Sequence, residues 1–124
     1  MYLLSVETEF AAAHFLSDYW GKCEQLHGHN YRVRVWFRGA TLDRTGMLAD
    51  FALLKQALRG IITPLDHSNL NDNPVFDNNP SAERIAEYIF NLLRPALILL
   101  QVNPELLYAV DVHETSTNMA RYEA

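Results

Sequence analysis

The chain has 124 residues, 49% hydrophobic and 20% charged, which suits one domain burying about two-thirds of its unfolded surface around a single core. Ten lysines and arginines against fifteen acids give a net charge of −5 spread along the length, which disfavours nonspecific binding to nucleic acid or an anionic membrane. A single cysteine, Cys23, excludes an intramolecular disulfide, and the longest apolar stretch, 95–100, is far below the roughly 20 residues of a membrane-spanning helix. The first seven residues lack the basic and apolar regions of an export signal, so a single soluble, cytoplasmic domain over 1–124 is expected.

From residue 4 to 14 the even positions read Leu4, Val6, Thr8, Phe10, Ala12 and His14 against Ser5, Glu7 and Glu9, the period-two pattern of a half-buried strand with a histidine closing its apolar face. Residues 15–26, with Asp18, Gly21, Lys22 and Cys23, read as a loop. Alternation then resumes with His27, His29, Tyr31, Val33, Val35 and Phe37 on one face and Arg32, Arg34, Trp36 and Arg38 on the other, which predicts a second strand. After a turn region at 39–46, Asp50 caps a helix with Phe51, Leu54, Leu58, Ile61 and Ile62 at three-and-four spacing, ended by Gly60 and Pro64. Residues 65–79, rich in asparagine, read as a long loop. Asn79-Pro80-Ser81 starts a second helix along Ile85, Ile89, Leu92 and Leu93, which Pro95 is expected to kink or end. A third strand is expected over 106–115, alternating Leu106, Tyr108, Val110 and Val112 against Asp111 and His113, and after the turn at 116–118 a short fourth strand over 119–123. The order ββααββ predicts the α+β class: a four-stranded antiparallel sheet with two helices on one face. The other face, lined by Arg32, Arg34, Trp36 and Arg38, faces solvent or is covered by assembly with other copies through the sheet's free edges.

Three histidines carry the strongest chemical signal. His27 and His29 lie two apart on a strand, so both rings project from one face about 7 Å apart along the backbone, with Gly28 leaving room between them. If the first two strands pair as a hairpin, His14 reaches the same point, and a three-histidine zinc site keeps an open coordination position for catalysis. The alternative is three separate histidines, two of them satisfied by backbone partners near a strand end. Cys23, four residues before His27 and beside Lys22, reads as a thiolate base or nucleophile, as a fourth ligand, or as a buried small hydrophobe. In Asp66-His67 the carboxylate can orient the ring as a proton donor or relay, or the pair merely decorates a turn. Glu114, on the parity of Val110 and Val112, is a carboxylate at the rim of the core suited to a guanidine-like edge, supplied by a ligand or by a protein arginine.

Taken in order, Phe10 to Leu16, the run Cys23-Glu24-Gln25-Leu26-His27-Gly28-His29, Asp50-Phe51 with Lys55, Leu65-Asp66-His67 with Leu70-Asn71, Pro80-Ser81-Ala82-Glu83 and Glu114-Thr115 resemble the 6-pyruvoyltetrahydropterin synthase and 6-carboxytetrahydropterin synthase family over essentially the whole chain. The resemblance implies the tunnelling fold, in which sheets join into a barrel in a trimer and two trimers stack into a homohexamer with active sites at subunit interfaces. It implies Zn2+ held by His14, His27 and His29, with 7,8-dihydroneopterin triphosphate as substrate. It further implies Cys23 as the base, Asp66 and His67 from a neighbouring subunit as a proton relay, and Glu114 anchoring the pterin, with Thr115 and Ser81 as further substrate-binding candidates. Ser81 stands where the family often has threonine, and Ala82 offers no hydroxyl. The compact length favours the reaction giving 6-carboxy-5,6,7,8-tetrahydropterin, acetaldehyde and triphosphate on the 7-deazaguanine and queuosine route. The alternatives are formation of 6-pyruvoyltetrahydropterin and a noncatalytic pterin- or metal-binding role on the same fold.

Overall fold

The computed structural model describes residues 1–17, 21 and 24–124. The elements are β1 (Tyr2–His14), β2 (His27–Gly39), α1 (Phe51–Ile62), β3 (Ser68–Asn69), α2 (Ala82–Leu99), β4 (Leu107–His113) and β5 (Met119–Glu123). They form one sheet in the order β3-β1-β2-β4-β5. β1 and β2 pair antiparallel along their full length, from Tyr2 opposite Gly39 to His14 opposite His27. Even residues of β1 and odd residues of β2 therefore share one face, and Val6, Phe10, Tyr31, Val33, Val35 and Phe37 are buried there. α1 contributes Leu54, Ala57, Leu58, Ile61 and Ile62 to the same core, and α2 contributes Ile85, Ala86, Ile89, Phe90, Leu93 and Leu97. The α+β class and the two helices on one face are as expected.

The sheet itself is mixed and five-stranded. β3 pairs parallel with β1 at Ala12 and Ala13 only. It arises in the segment expected to be a loop, because side chains there fold the backbone into short 3-10 turns: Asn69 accepts from the Asn71 N–H at 3.1 Å and Asn73 from that of Val75 at 3.1 Å. Two helix ends also differ from expectation. α1 runs through Gly60 and stops at Ile62, where a 3-10 turn holding Pro64 takes over. α2 runs through Pro95 to Leu99. Interior proline costs about 3 kcal/mol, because it removes the hydrogen bond to the carbonyl four residues back and its ring crowds that carbonyl. Here Asn91, four residues back, is exposed, while Leu93 and Leu97 on either side of the proline are fully buried, each contributing about 2 kcal/mol.

The third strand is shorter than its pattern suggested. A register irregularity opposite β4, between Trp36 and Phe37, shifts the alternation so that Leu107 joins Val110 and Val112 on the helix-covered face, while Ala109 and Asp111 are buried on the other face, opposite Trp36 and Arg34. On the face away from the helices, Glu7 pairs with Arg34 at 2.8 Å and with Arg32 at 3.4 Å. Asp111 accepts from Trp36 Nε1 at 2.8 Å and from Arg121 at 2.7 and 3.0 Å. Among the described residues, the outer edge of β1 from Tyr2 to Ala11 and the outer edge of β5 have no strand neighbour, so the sheet is open at both edges. No helix among the described residues is long and apolar enough to cross a membrane.

Candidate metal centre and adjoining cleft

The hairpin register places His14 directly opposite His27, with His29 two residues along the same face. The ring centroids lie 4.5 Å apart for His14 and His27, 5.0 Å for His14 and His29, and 4.8 Å for His27 and His29. One nitrogen from each ring comes within 4.8 Å of the others. Tetrahedral zinc with bonds of about 2.1 Å holds its nitrogens about 3.4 Å apart, a contraction that small ring rotations supply. Gly28 is not what makes room, since a Cβ there would meet only the Ala12 carbonyl at 3.8 Å, an ordinary contact.

The hydrogen bonds around the rings fix which nitrogen is free. His14 Nδ1 lies 2.8 Å from the Pro80 carbonyl and His27 Nδ1 lies 2.6 Å from that of Gln25. A carbonyl only accepts, so Nδ1 carries the proton in each and Nε2 presents a lone pair. His14 is 1% exposed, and the Nε2 atoms of His14 and His29 are buried with no protein partner. Orphaned buried nitrogens cost about 1–3 kcal/mol each, and a shared cation would satisfy both. Burial lowers the His14 pKa, working against the Pro80 hydrogen bond and the nearby Glu114 carboxylate, and so favours the neutral ring a metal requires. The donor set therefore fits a metal ion. Tyr31, fully buried, stacks on Phe10 at 4.8 Å and meets His29 and His14 edge-on at 5.4 and 5.8 Å. Burial pushes its phenol far above the ordinary range, so the hydroxyl stays protonated.

Glu114 lies one residue beyond β4, and its Oε1 is 3.9 Å from His14 Nε2. It opens onto a cleft of about 500 Å³ between the start of α2 and β5, lined also by Leu16, Ser81, Ala82, Asn118 and Arg121. Ser81 caps α2, its hydroxyl accepting from the Arg84 N–H at 3.2 Å. Thr115 is exposed, and its hydroxyl accepts from Asn118 and Thr117 N–H groups within the turn rather than lining the cleft.

Asp66 and His67 do not join the three-histidine cluster, although His67 and His29 line one shallow surface groove. Asp66 accepts from the Ala11 N–H at 2.9 Å, which first among its hydrogen bonds holds its carboxyl below the usual range, while the His67 N–H donates to the Ala11 carbonyl at 2.6 Å. The dyad is thus fastened to the edge of β1. His67 Nδ1 lies 3.0 Å from Asp66 Oδ2 and the ring is 83% exposed, its backbone in the left-handed region at φ 57°. Cys23 and Lys22 lie outside the described residues. Sequence reasoning missed Arg121, whose place opposite Asp111 was legible in the alternation of β5, and it named Asn71 without a role, since that role depends on a backbone 56 residues away.

An open α+β sheet whose central hairpin turns three histidines toward one space defines a protein built around a candidate catalytic metal centre. Residues 3–124 match the model of the family described as 6-pyruvoyl tetrahydropterin synthase. The chain is 39% identical to the 6-carboxy-5,6,7,8-tetrahydropterin synthase of Synechocystis sp., over 98% of this chain and 93% of that one. It is 37% identical to the human 6-pyruvoyl tetrahydrobiopterin synthase, over 97% and 90%. Its fold superimposes on Caenorhabditis elegans 6-pyruvoyl tetrahydropterin synthase with a TM-score of 0.84 at 33% identity, covering 100% of this chain and 97% of that one. The chain belongs to the 6-pyruvoyl tetrahydropterin synthase family, a family of enzymes.

Proposed function

We propose that the protein converts 7,8-dihydroneopterin triphosphate to 6-carboxy-5,6,7,8-tetrahydropterin, releasing acetaldehyde and triphosphate, as a step toward 7-deazaguanine bases such as queuosine. The observation that carries this reading is the convergence of His14, His27 and His29 beside Glu114 at the rim of a cleft. Identity to a relative named for the 6-carboxy product over nearly the full length of both chains supports it. His14, His27 and His29 would hold Zn2+, which supplies Lewis-acid polarisation of the substrate's side-chain hydroxyls. Glu114 offers two carboxylate oxygens to the parallel N–H groups of the pterin edge and fixes the ring's orientation. Cys23, close to His27 in sequence, takes a proton as thiolate. Asp66 keeps His67 oriented as a proton relay, and because that ring is exposed on the edge of β1 it serves the site of a neighbouring subunit. The working form is then a homohexamer of two stacked trimers in the cytoplasm.

Incubating zinc-loaded protein with 7,8-dihydroneopterin triphosphate, with mass spectrometry of products and a parallel assay for acetaldehyde, tests the proposal. Acetaldehyde with the 6-carboxy product is expected, and Cys23→Ala should keep its zinc while losing most turnover. A 6-pyruvoyl product would move the protein to the biopterin-type reaction of its human relative. Bound zinc with no turnover would favour a binding role.

A further inference from the structure

We propose that Asn71 is a positioning residue of the histidine centre, fastening the chain that leaves His14 to the segment that supplies His14 with its carbonyl partner. This rests on the reading of His14, His27 and His29 as a metal centre. β1 ends at His14, and both polar groups of the next residue are taken by one side chain: Asn71 Oδ1 accepts from the Phe15 N–H at 2.8 Å, and Asn71 Nδ2 donates to the Phe15 carbonyl at 3.0 Å. The amide thereby presents the donor and acceptor of a neighbouring strand, continuing the pairing of β3 with Ala12 and Ala13 to a point just past the ligand. The same Nδ2 lies 3.2 Å from the Asn78 carbonyl and 3.1 Å from Asn78 Oδ1. Ser17 completes the clasp, its N–H donating to Asn79 Oδ1 at 2.6 Å and its hydroxyl to the Asn78 carbonyl at 3.1 Å. Pro80 follows immediately, and its carbonyl accepts the His14 Nδ1 proton at 2.8 Å. One amide therefore ties the strand that carries the imidazole to the loop that orients it, and a fixed Nδ1–H bond keeps the Nε2 lone pair aimed at the centre. Asn73 in the same loop does something different, capping its own turn through the Val75 N–H.

Cobalt(II) titration of the full chain, read by its visible spectrum and by competition with a chelator, separates the possibilities. Asn71→Leu should bind cobalt roughly 10-fold or more weakly, with an altered ligand-field spectrum, as expected when a ligand's support is removed. Asn71→Asp, which keeps the acceptor for the Phe15 N–H and loses the donor, should fall between it and the parent chain. Asn73→Ala should lower thermal stability with cobalt affinity and spectrum unchanged. A folded Asn71→Leu with the parent's affinity and spectrum overturns the proposal, as does an equal loss in Asn73→Ala. If Asn71→Leu does not fold, Asn71→Asp and Asn79→Ala carry the same comparison. A parent chain that binds no cobalt removes the metal reading itself, and the positioning role falls with it.

Discussion

Glu114 combines a charge, partial burial and an open cleft in one residue. A carboxylate there can hold two parallel N–H groups, whereas the isosteric amide offers one acceptor and a clashing donor. Charge-assisted hydrogen bonds contribute about 1.5–3 kcal/mol. Glu114→Gln should accordingly raise both the KM and the dissociation constant of the pterin substrate by about 10-fold or more, with zinc retained. Unchanged values in steady-state kinetics and calorimetry would remove Glu114 from the anchoring role. At this scale the site was unevenly legible. The parity of His14, His27 and His29 sufficed to converge them, because a hairpin's geometry follows from its alternation. The support around them was not legible: Pro80 reaches His14 across 66 residues and Asp66 reaches Ala11 across 55, and no local pattern encodes contacts so distant in sequence.

Between elements, β4 and β5 are joined on the open face by Asp111, which is 3% exposed. Burial pushes its carboxyl up, but hydrogen bonds from Arg121 and Trp36 outweigh burial and its pKa lies below the usual value. A carboxyl held lower in the folded than in the unfolded state stabilises the fold above the unfolded value of about 3.8, and that stability is lost as pH falls through the folded value. Asp111→Asn should therefore cost about 2 kcal/mol at neutral pH, and in urea titrations its gap from the parent chain should close below about pH 3.8. A gap that stays constant down to pH 3 would mean that Asp111 contributes packing rather than charge. Most elements were legible from periodicity, which is a local property. Pro95 does not end α2, because a rule about backbone hydrogen bonds is set against burial of Leu93 and Leu97, and tertiary packing decides that contest. β3 was missed because two residues carry no period, and it exists only through its pairing with β1.

For the molecule as a whole, the helices bury one face of the sheet while the edges of β1 and β5 remain unpaired. Unpaired edges are templates for association, and a closed ring of sheets removes them. The proposed trimer would satisfy both edges and turn the face bearing Glu7, Arg32, Arg34 and Asp111 toward the ring's interior, where pairing of these charges tolerates enclosure. Light scattering at micromolar concentration should give the mass of three or six chains. The mass of a single chain would leave the Asp66-His67 dyad with no neighbour to serve and would contradict the shared site.

The left-handed turn at His67 sets two demands against each other. A non-glycine residue held at such a φ forgoes stability of order 1 kcal/mol, and glycine would occupy the same turn at less cost. Glycine would also delete the imidazole. A search for thermostable variants of this protein would therefore be drawn to position 67 and would gain robustness there by discarding a side chain proposed to move protons, so screens on heat resistance alone should hold that position fixed.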